Sequence, residues 1–92
     1  MGIYVNKKCL ITGAASGIGR AVAILLGKSG ADLFLTDIDE SKLKEAEQEI
    51  ISLNGKVTYV KALDLRNYED VKIFADEIHS KFGALDIVMN IA

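Results

Sequence analysis

The 92-residue sequence has no proline, no tryptophan, one cysteine and one histidine. Each scarcity excludes something. A single cysteine cannot close an internal disulfide, and one cysteine with one histidine cannot furnish a closed His/Cys zinc site, so no metal is expected. A lone thiol suits a reducing compartment, which points to the cytoplasm. The longest apolar run, Ala21 to Leu26, is far below the ~18 residues of a membrane span. The opening residues, Met-Gly-Ile-Tyr-Val-Asn, lack the apolar stretch of a signal peptide. Asn6 stands where myristoylation requires Ser or Thr. No five consecutive residues carry the same charge, and eleven basic against thirteen acidic side chains leave a net charge of −2. That balance predicts no nucleic-acid partner and no membrane partner.

What is present is an ordinary globular composition, 50% apolar and 26% charged, in a length that suits one domain spanning residues 1–92. Short apolar runs alternate with amphipathic stretches. Cys9 to Thr12 reads as a first strand, and Gly13 to Gly19 as a loop. Ile18 to Lys28 reads as a helix, with Val22, Leu25 and Leu26 at helical spacing and Gly30 as its C-terminal cap. Leu33 to Thr36 is a second strand. Asp39, Glu40 and Ser41 open a second helix with the stripe Leu43, Ala46, Ile50 and Leu53. Asn54-Gly55 ends it; the pair could also signal a hairpin, but the preceding period is helical. Val57 to Val60 is a third strand. Asn67 and Asp70 start a third helix, lined by Val71, Phe74, Ala75, Ile78 and Phe82 and stopped by Gly83. Leu85 to Ile91 is a fourth strand, apolar enough to be covered on both faces. The alternation βαβαβαβ implies an α/β fold with a parallel sheet and right-handed crossovers.

The segment Thr12-Gly13-Ala14-Ala15-Ser16-Gly17-Ile18-Gly19 lies where the first strand turns into the first helix. Glycine at 13 permits a tight turn, glycine at 17 clears a path to backbone N–H groups, and glycine at 19 lets the helix pack close to the sheet. A helix N-terminus then offers unpaired donors and a partial positive charge to a pyrophosphate. The bland alternative is a strand–helix turn with convenient glycines. A phosphate-loop NTPase is excluded, because Gly27-Lys28-Ser29 would need glycine at 22, which is Val22. Asp37 follows Gly19 by eighteen residues, at the end of the second strand. A carboxylate there accepts both ribose hydroxyls of an adenosine and repels a 2′-phosphate. Its bland alternative is a turn residue, a role Asp39 fills better. Residue 38 is Ile, so no adjacent Arg invites NADP; NAD is the expected cofactor.

Together, Thr12-Gly13-x-x-x-Gly17-x-Gly19, Asp37, Asp64-Leu65 and Asn90-Ile91-Ala92 resemble the classical short-chain dehydrogenase/reductases. The resemblance covers nearly the whole chain. It implies the N-terminal, cofactor-binding portion of an oxidoreductase that moves hydride between a nicotinamide cofactor and an alcohol or carbonyl substrate. It implies that Gly13, Ser16, Gly17, Ile18 and Gly19 surround the pyrophosphate, with Asp37 selecting NAD. It places Asp64 and Leu65 at the adenine, and Asn90 and Ala92 in a segment that supports the sheet beside the cofactor. Ile91 departs from the second Asn of the family's Asn-Asn-Ala-Gly. A Rossmann-like doubly wound sheet in this half has strand order 3-2-1-4, with two helices on one face and the third on the other, next to strand 4.

The family's catalytic Asn, Ser and Tyr-x-x-x-Lys lie downstream of Asn-Asn-Ala-Gly, so no catalytic residue carries over and the 92 residues alone are expected to be inactive. Tyr4/Lys8 and Tyr68/Lys72 match Tyr-x-x-x-Lys in spacing but not in place. Cys9 reads as core, His79 as exposed, and Arg20 as either a phosphate ligand or surface packing. The Glu40–Glu49 charge cluster reads as an outer helix face. A truncated dehydrogenase is the reading preferred over a non-catalytic NAD-sensing module, or a subunit that pairs through strand 4 with another chain. A homo-oligomer is expected, since strand 4 is an apolar edge.

Overall fold

The computed structural model describes residues 3–91. Four parallel strands, β1 (Lys8–Thr12), β2 (Asp32–Asp37), β3 (Lys56–Ala62) and β4 (Ile87–Asn90), form one sheet in the order β3-β2-β1-β4. Between them run helices α1 (Gly17–Lys28), α2 (Glu40–Ser52) and α3 (Tyr68–Phe82). The element order and strand order are those expected. One face of the sheet, through Cys9, Ile11, Leu33 and Leu35, packs on Ala23 and Leu26 of α1 and Leu43 and Ile50 of α2. The other face, through Leu10 and Phe34, packs on Phe74 and Ile78 of α3.

Each helix ends for a local reason. Gly30 sits at φ 91°; its N–H donates to Gly27 O and that of Ala31 to Leu26 O. Asn54, at φ 66°, repeats the pattern after α2, with its N–H on Ile51 O and that of Gly55 on Ile50 O. These are Schellman caps, so Asn54-Gly55 closes a helix and does not turn a hairpin. The starts of α2 and α3 are capped by Asp39 and Asn67, whose side chains accept from the N–H groups of Lys42 and Asp70.

Four expectations change. Leu25 of α1 is 66% exposed, because the face turned to the sheet is Gly19, Ala23, Leu26 and Gly27. Three of those four are small, so the helix axis lies close to β1 and leaves no room for a leucine stripe. Leu53 is a C-cap and exposed, so the stripe of α2 ends at Ile50. Strand β3 is longer than its apolar run, and a bulge at Thr58 lets Val57 pair with Leu33 while Tyr59 pairs with Phe34. The extra residue resets the alternation. Tyr59 thereby turns to the α3 face, where it stacks on Phe74 with centroids 5.7 Å apart. Its hydroxyl donates to Glu77 at 2.7 Å, and Lys61 donates to the same carboxylate at 2.9 Å. These two bonds, Tyr59 first, hold the Glu77 carboxyl below its usual range.

Strand β4 is the fourth change. It is shorter than expected and only half covered: Ile87 and Met89 pack on the α1 side, but Val88 is 58% exposed on the other. Helix α3 crosses to the expected face yet sits over β1, β2 and β3, through Leu10, Phe34 and Tyr59, and leaves β4 bare. The strand is tied to β1 at its start, where Asp86 and Lys8 exchange backbone and carboxylate bonds at 2.8 Å.

Two outcomes test this packing. A Cβ at Gly19 would collide with the Gly13 carbonyl oxygen. Gly19→Ala is therefore expected to cost at least ~1–3 kcal/mol, read as a drop in Tm of about 4–8 °C per kcal/mol. An unchanged melting curve would contradict the contact. Cys9 is fully buried, and burial, followed by the charges of Asp86 and Asp32, pushes its thiol pKa up. A thiol reagent at pH 8 should modify the native chain at least ~10-fold more slowly than the chain in guanidinium.

Candidate functional site

In a parallel sheet every strand delivers its C-terminal end to the same edge. Here that edge carries Thr12, Asp37, Ala62 and Asn90, each followed by a loop. The glycine loop after β1 turns through Gly13 (φ 67°) and Gly17 (φ 59°). It is folded down onto the end of β2: Ala14 N–H donates to Thr36 O at 3.1 Å, and Ala15 N–H donates to Asp37 Oδ2 at 3.0 Å. Ala14 and Ala15 are buried by that contact. Ser16 precedes α1 in extended conformation with no side-chain cap bond, and the first turn holds no acidic residue. The first-turn N–H groups of Gly17, Ile18 and Gly19 have no partner within the helix. They open on a cleft of about 330 Å³ lined by Gly13, Ser16, Ile18, Gly19, Asp37 and Ile91. Field, donors and shape suit an anion.

Asp37 does two jobs. Its Oδ2 holds Ala15 and its Oδ1 accepts from Asp39 N–H at 3.1 Å, so one side chain ties the glycine loop to the turn before α2. Each carboxylate oxygen keeps a further lone pair for a hydroxyl donor. Asp37 also lines a second open cleft of about 440 Å³ with Gly13, Ile38, Asp64, Leu65 and Arg66. The glycine loop and the β3–α3 loop, far apart in sequence, meet across it.

Asp64 lines this cleft, but it is already engaged. Arg66 grips it with Nε to Oδ1 at 3.0 Å and Nη2 to Oδ2 at 2.8 Å, and the Arg66 N–H adds a bond at 2.9 Å. The Arg66 side chain, then its backbone N–H, hold the Asp64 carboxyl down at about 2. Asn90 lies opposite Thr12 in the β1–β4 register, and the Thr12 hydroxyl donates to Asn90 Oδ1 at 2.8 Å while accepting from Ile91 N–H at 3.0 Å. Asn90 supports the sheet through this tie. Ala92 lies outside the described residues.

Other candidates stand apart. Tyr68 is 74% exposed, and Tyr4 lines a groove beside α1 and β4, away from both clefts. Arg20 pairs with Glu49 of α2 at 2.8 Å, a tie between helices. Among the described residues no cluster of His, Cys, Asp and Glu could hold a metal ion. Ile38 and Arg66 line the second cleft and were missed as site residues by the sequence reading. The one available signal was the position of each next to a residue already singled out, Ile38 after Asp37 and Arg66 two beyond Asp64.

Comparison with known proteins places this geometry. The family profile of the short chain dehydrogenase matches residues 7–92. The chain is 39% identical over 89 residues to the probable oxidoreductase EphD of Mycobacterium tuberculosis, covering 97% of this chain and 15% of that protein. It is 38% identical over 86 residues to the 3-oxoacyl-[acyl-carrier-protein] reductase FabG of Thermotoga maritima, covering 92% of this chain and 34% of that one. Among solved structures, a metagenomic short-chain oxidoreductase in complex with NADP superposes with a TM-score of 0.86 at 32% identity, over 92% of this chain and 38% of that one. Carveol dehydrogenase from Mycobacterium avium in complex with NAD gives 0.84 at 28% identity, over 96% and 36%. The chain therefore spans between about a seventh and two fifths of the proteins it matches. No described helix is long and apolar enough to cross a membrane. A parallel sheet in the order 3-2-1-4, a glycine loop opening on a bare helix N-terminus, and a profile match over nearly every residue lead to one conclusion: the chain belongs to the short-chain dehydrogenase family.

Proposed function

We propose that residues 1–92 form the NAD-binding half-domain of an oxidoreductase that moves hydride between a nicotinamide cofactor and an alcohol or carbonyl substrate. The observation that carries the reading is Asp37, a carboxylate fixed by two backbone N–H groups at the junction of the two clefts. The residues present fit a dinucleotide. Gly13, Ser16, Gly17, Ile18 and Gly19 take the pyrophosphate on the open N-terminus of α1. Asp37 takes the adenosine ribose, Asp64 and Leu65 take the adenine, and Asn90 with Ala92 flanks the cofactor. The bound cofactor would supply the hydride; these residues bind and orient it.

Relatives of this fold include complexes with NADP and with NAD, so the choice between them rests on this chain's own charge. A 2′-phosphate at the ribose would meet the Asp37 carboxylate in a cleft that also holds Asp64. Repulsion there, with Ile38 in place of a cation, favours NAD. Among the described residues no Tyr/Lys pair lines the clefts, and binding without turnover is the reading for the 92 residues by themselves. A cytoplasmic site suits the lone reduced Cys9. The bare β4, with Val88 exposed beside an unpaired strand edge, supports a second reading for the same residues, association with another chain.

Calorimetric titration with NADH and NADPH tests the ribose assignment. The unmodified chain should prefer NADH. Asp37→Asn keeps one acceptor oxygen, for Ala15 N–H, but loses the charge and the acceptor for Asp39 N–H, and should narrow the preference. Asp37→Ala should also weaken NADH binding by about 1.5–3 kcal/mol, roughly ten- to hundredfold. Equal affinity of the unmodified chain for the two cofactors would sink the assignment. Oxidation of NADH by the purified 92 residues with any carbonyl substrate would contradict binding without turnover.

A further inference from the structure

Arg66 carries an inference that deepens the dinucleotide reading and rests on it. Its side chain is 86% accessible, yet it is not free to wander. The fork onto Asp64, together with its own N–H on the same carboxylate, fixes the guanidinium plane at the wall of the cleft shared with Asp37, Ile38 and Leu65.

A guanidinium recognises a nucleotide in one of two ways. It forks a phosphate through its edge, or it lies against a base through its face. Here the Nε/Nη2 edge is spent on Asp64, and that carboxylate cancels the local charge. Asp37 adds a further negative charge to the same cleft. The Nη1/Nη2 end remains, but a phosphate taken there would lie in a cleft that already holds two carboxylates. The broad faces of the plane are open, and a cation over an aromatic ring needs no edge. In the same cleft Ile38, 61% exposed, offers an apolar surface. We propose that Arg66 is a cofactor-binding residue that lays its guanidinium face against the adenine ring, with Asp64 as the positioning residue that holds the plane. Adenine is then gripped by shape and stacking in addition to its polar edge, and every purine dinucleotide of this type gains equally.

ADP-ribose is the probe, because it carries the adenosine half without the nicotinamide, and NADPH serves as its counterpart with the 2′-phosphate. Arg66→Lys keeps a cation beside Asp64 but removes the plane. It should weaken ADP-ribose by about two- to fivefold and NADPH by the same factor. Arg66→Tyr restores a flat face without the charge and should recover ADP-ribose affinity relative to Arg66→Lys. The site is exposed, and the melting curve of each variant confirms folding. Unchanged ADP-ribose affinity in Arg66→Lys overturns the proposal. So does a loss confined to NADPH in both variants, which would make Arg66 a phosphate contact. If the unmodified chain binds no ADP-ribose, it is the dinucleotide reading itself that fails, a result separate from either of these.

Discussion

The closeness of α1 to β1 is the constraint on which the site depends. Gly19 lies so near the carbonyl of Gly13 that no side chain fits between them. Ala23 and Gly27 continue the small buried face along the helix, and Gly27 meets Ile50 of α2 and Leu33 of β2. This approach sets where the helix N-terminus opens, and hence where its donors and partial charge meet a ligand. It also leaves Ala14 and Ala15 buried against the end of β2, with their N–H groups turned down onto Thr36 and Asp37. This short contact and the loop's bonds to Thr36 and Asp37 join sheet, helix and loop in addition to the buried core between them.

The two carboxylates of the clefts are both employed before any ligand arrives. Asp37 holds the glycine loop and the start of the turn to α2; Asp64 holds Arg66. Fixing a charge in this way removes the entropy cost of ordering it on binding. A substitution at Asp37 therefore alters both the wall shared by the two clefts and the glycine loop beside them. The Thr12–Asn90 bond does for β4 what Asp37 does for β2, joining the strand ends that border the cleft.

The second face of the sheet is organised by aromatic contact. Phe34 meets Phe82 edge-on at 5.3 Å, and Tyr59 stacks on Phe74. With Glu77 bridging Tyr59 and Lys61, these contacts draw α3 over β2 and β3, away from β4. The same placement sets the β3–α3 loop, which carries Asp64, Leu65 and Arg66 to the cleft. It also explains why β4, apolar in composition, is covered on one side alone.

The sequence by itself determined the element order, the sheet type and the chemistry of the glycine loop. Those follow from local physics: alternating apolar runs, capping residues such as Asp39, Asn67 and Gly30, and glycines at a strand–helix turn. It also marked Asp37, because a carboxylate at that distance from the loop lands at the end of the neighbouring strand. Tertiary structure alone decided the rest. The bulge at Thr58 turned Tyr59 to the other face, which no alternation pattern could show. The buried face of α1 ran through Gly19 and Ala23 and excluded Leu25, because close approach favours small residues over apolar ones. Arg66 became part of the cleft when the β3–α3 loop was laid beside the end of β2. Helix and strand periods are written within a few residues of chain, whereas a cleft is formed by loops that meet from opposite ends of it, and their meeting depends on packing that no local pattern encodes.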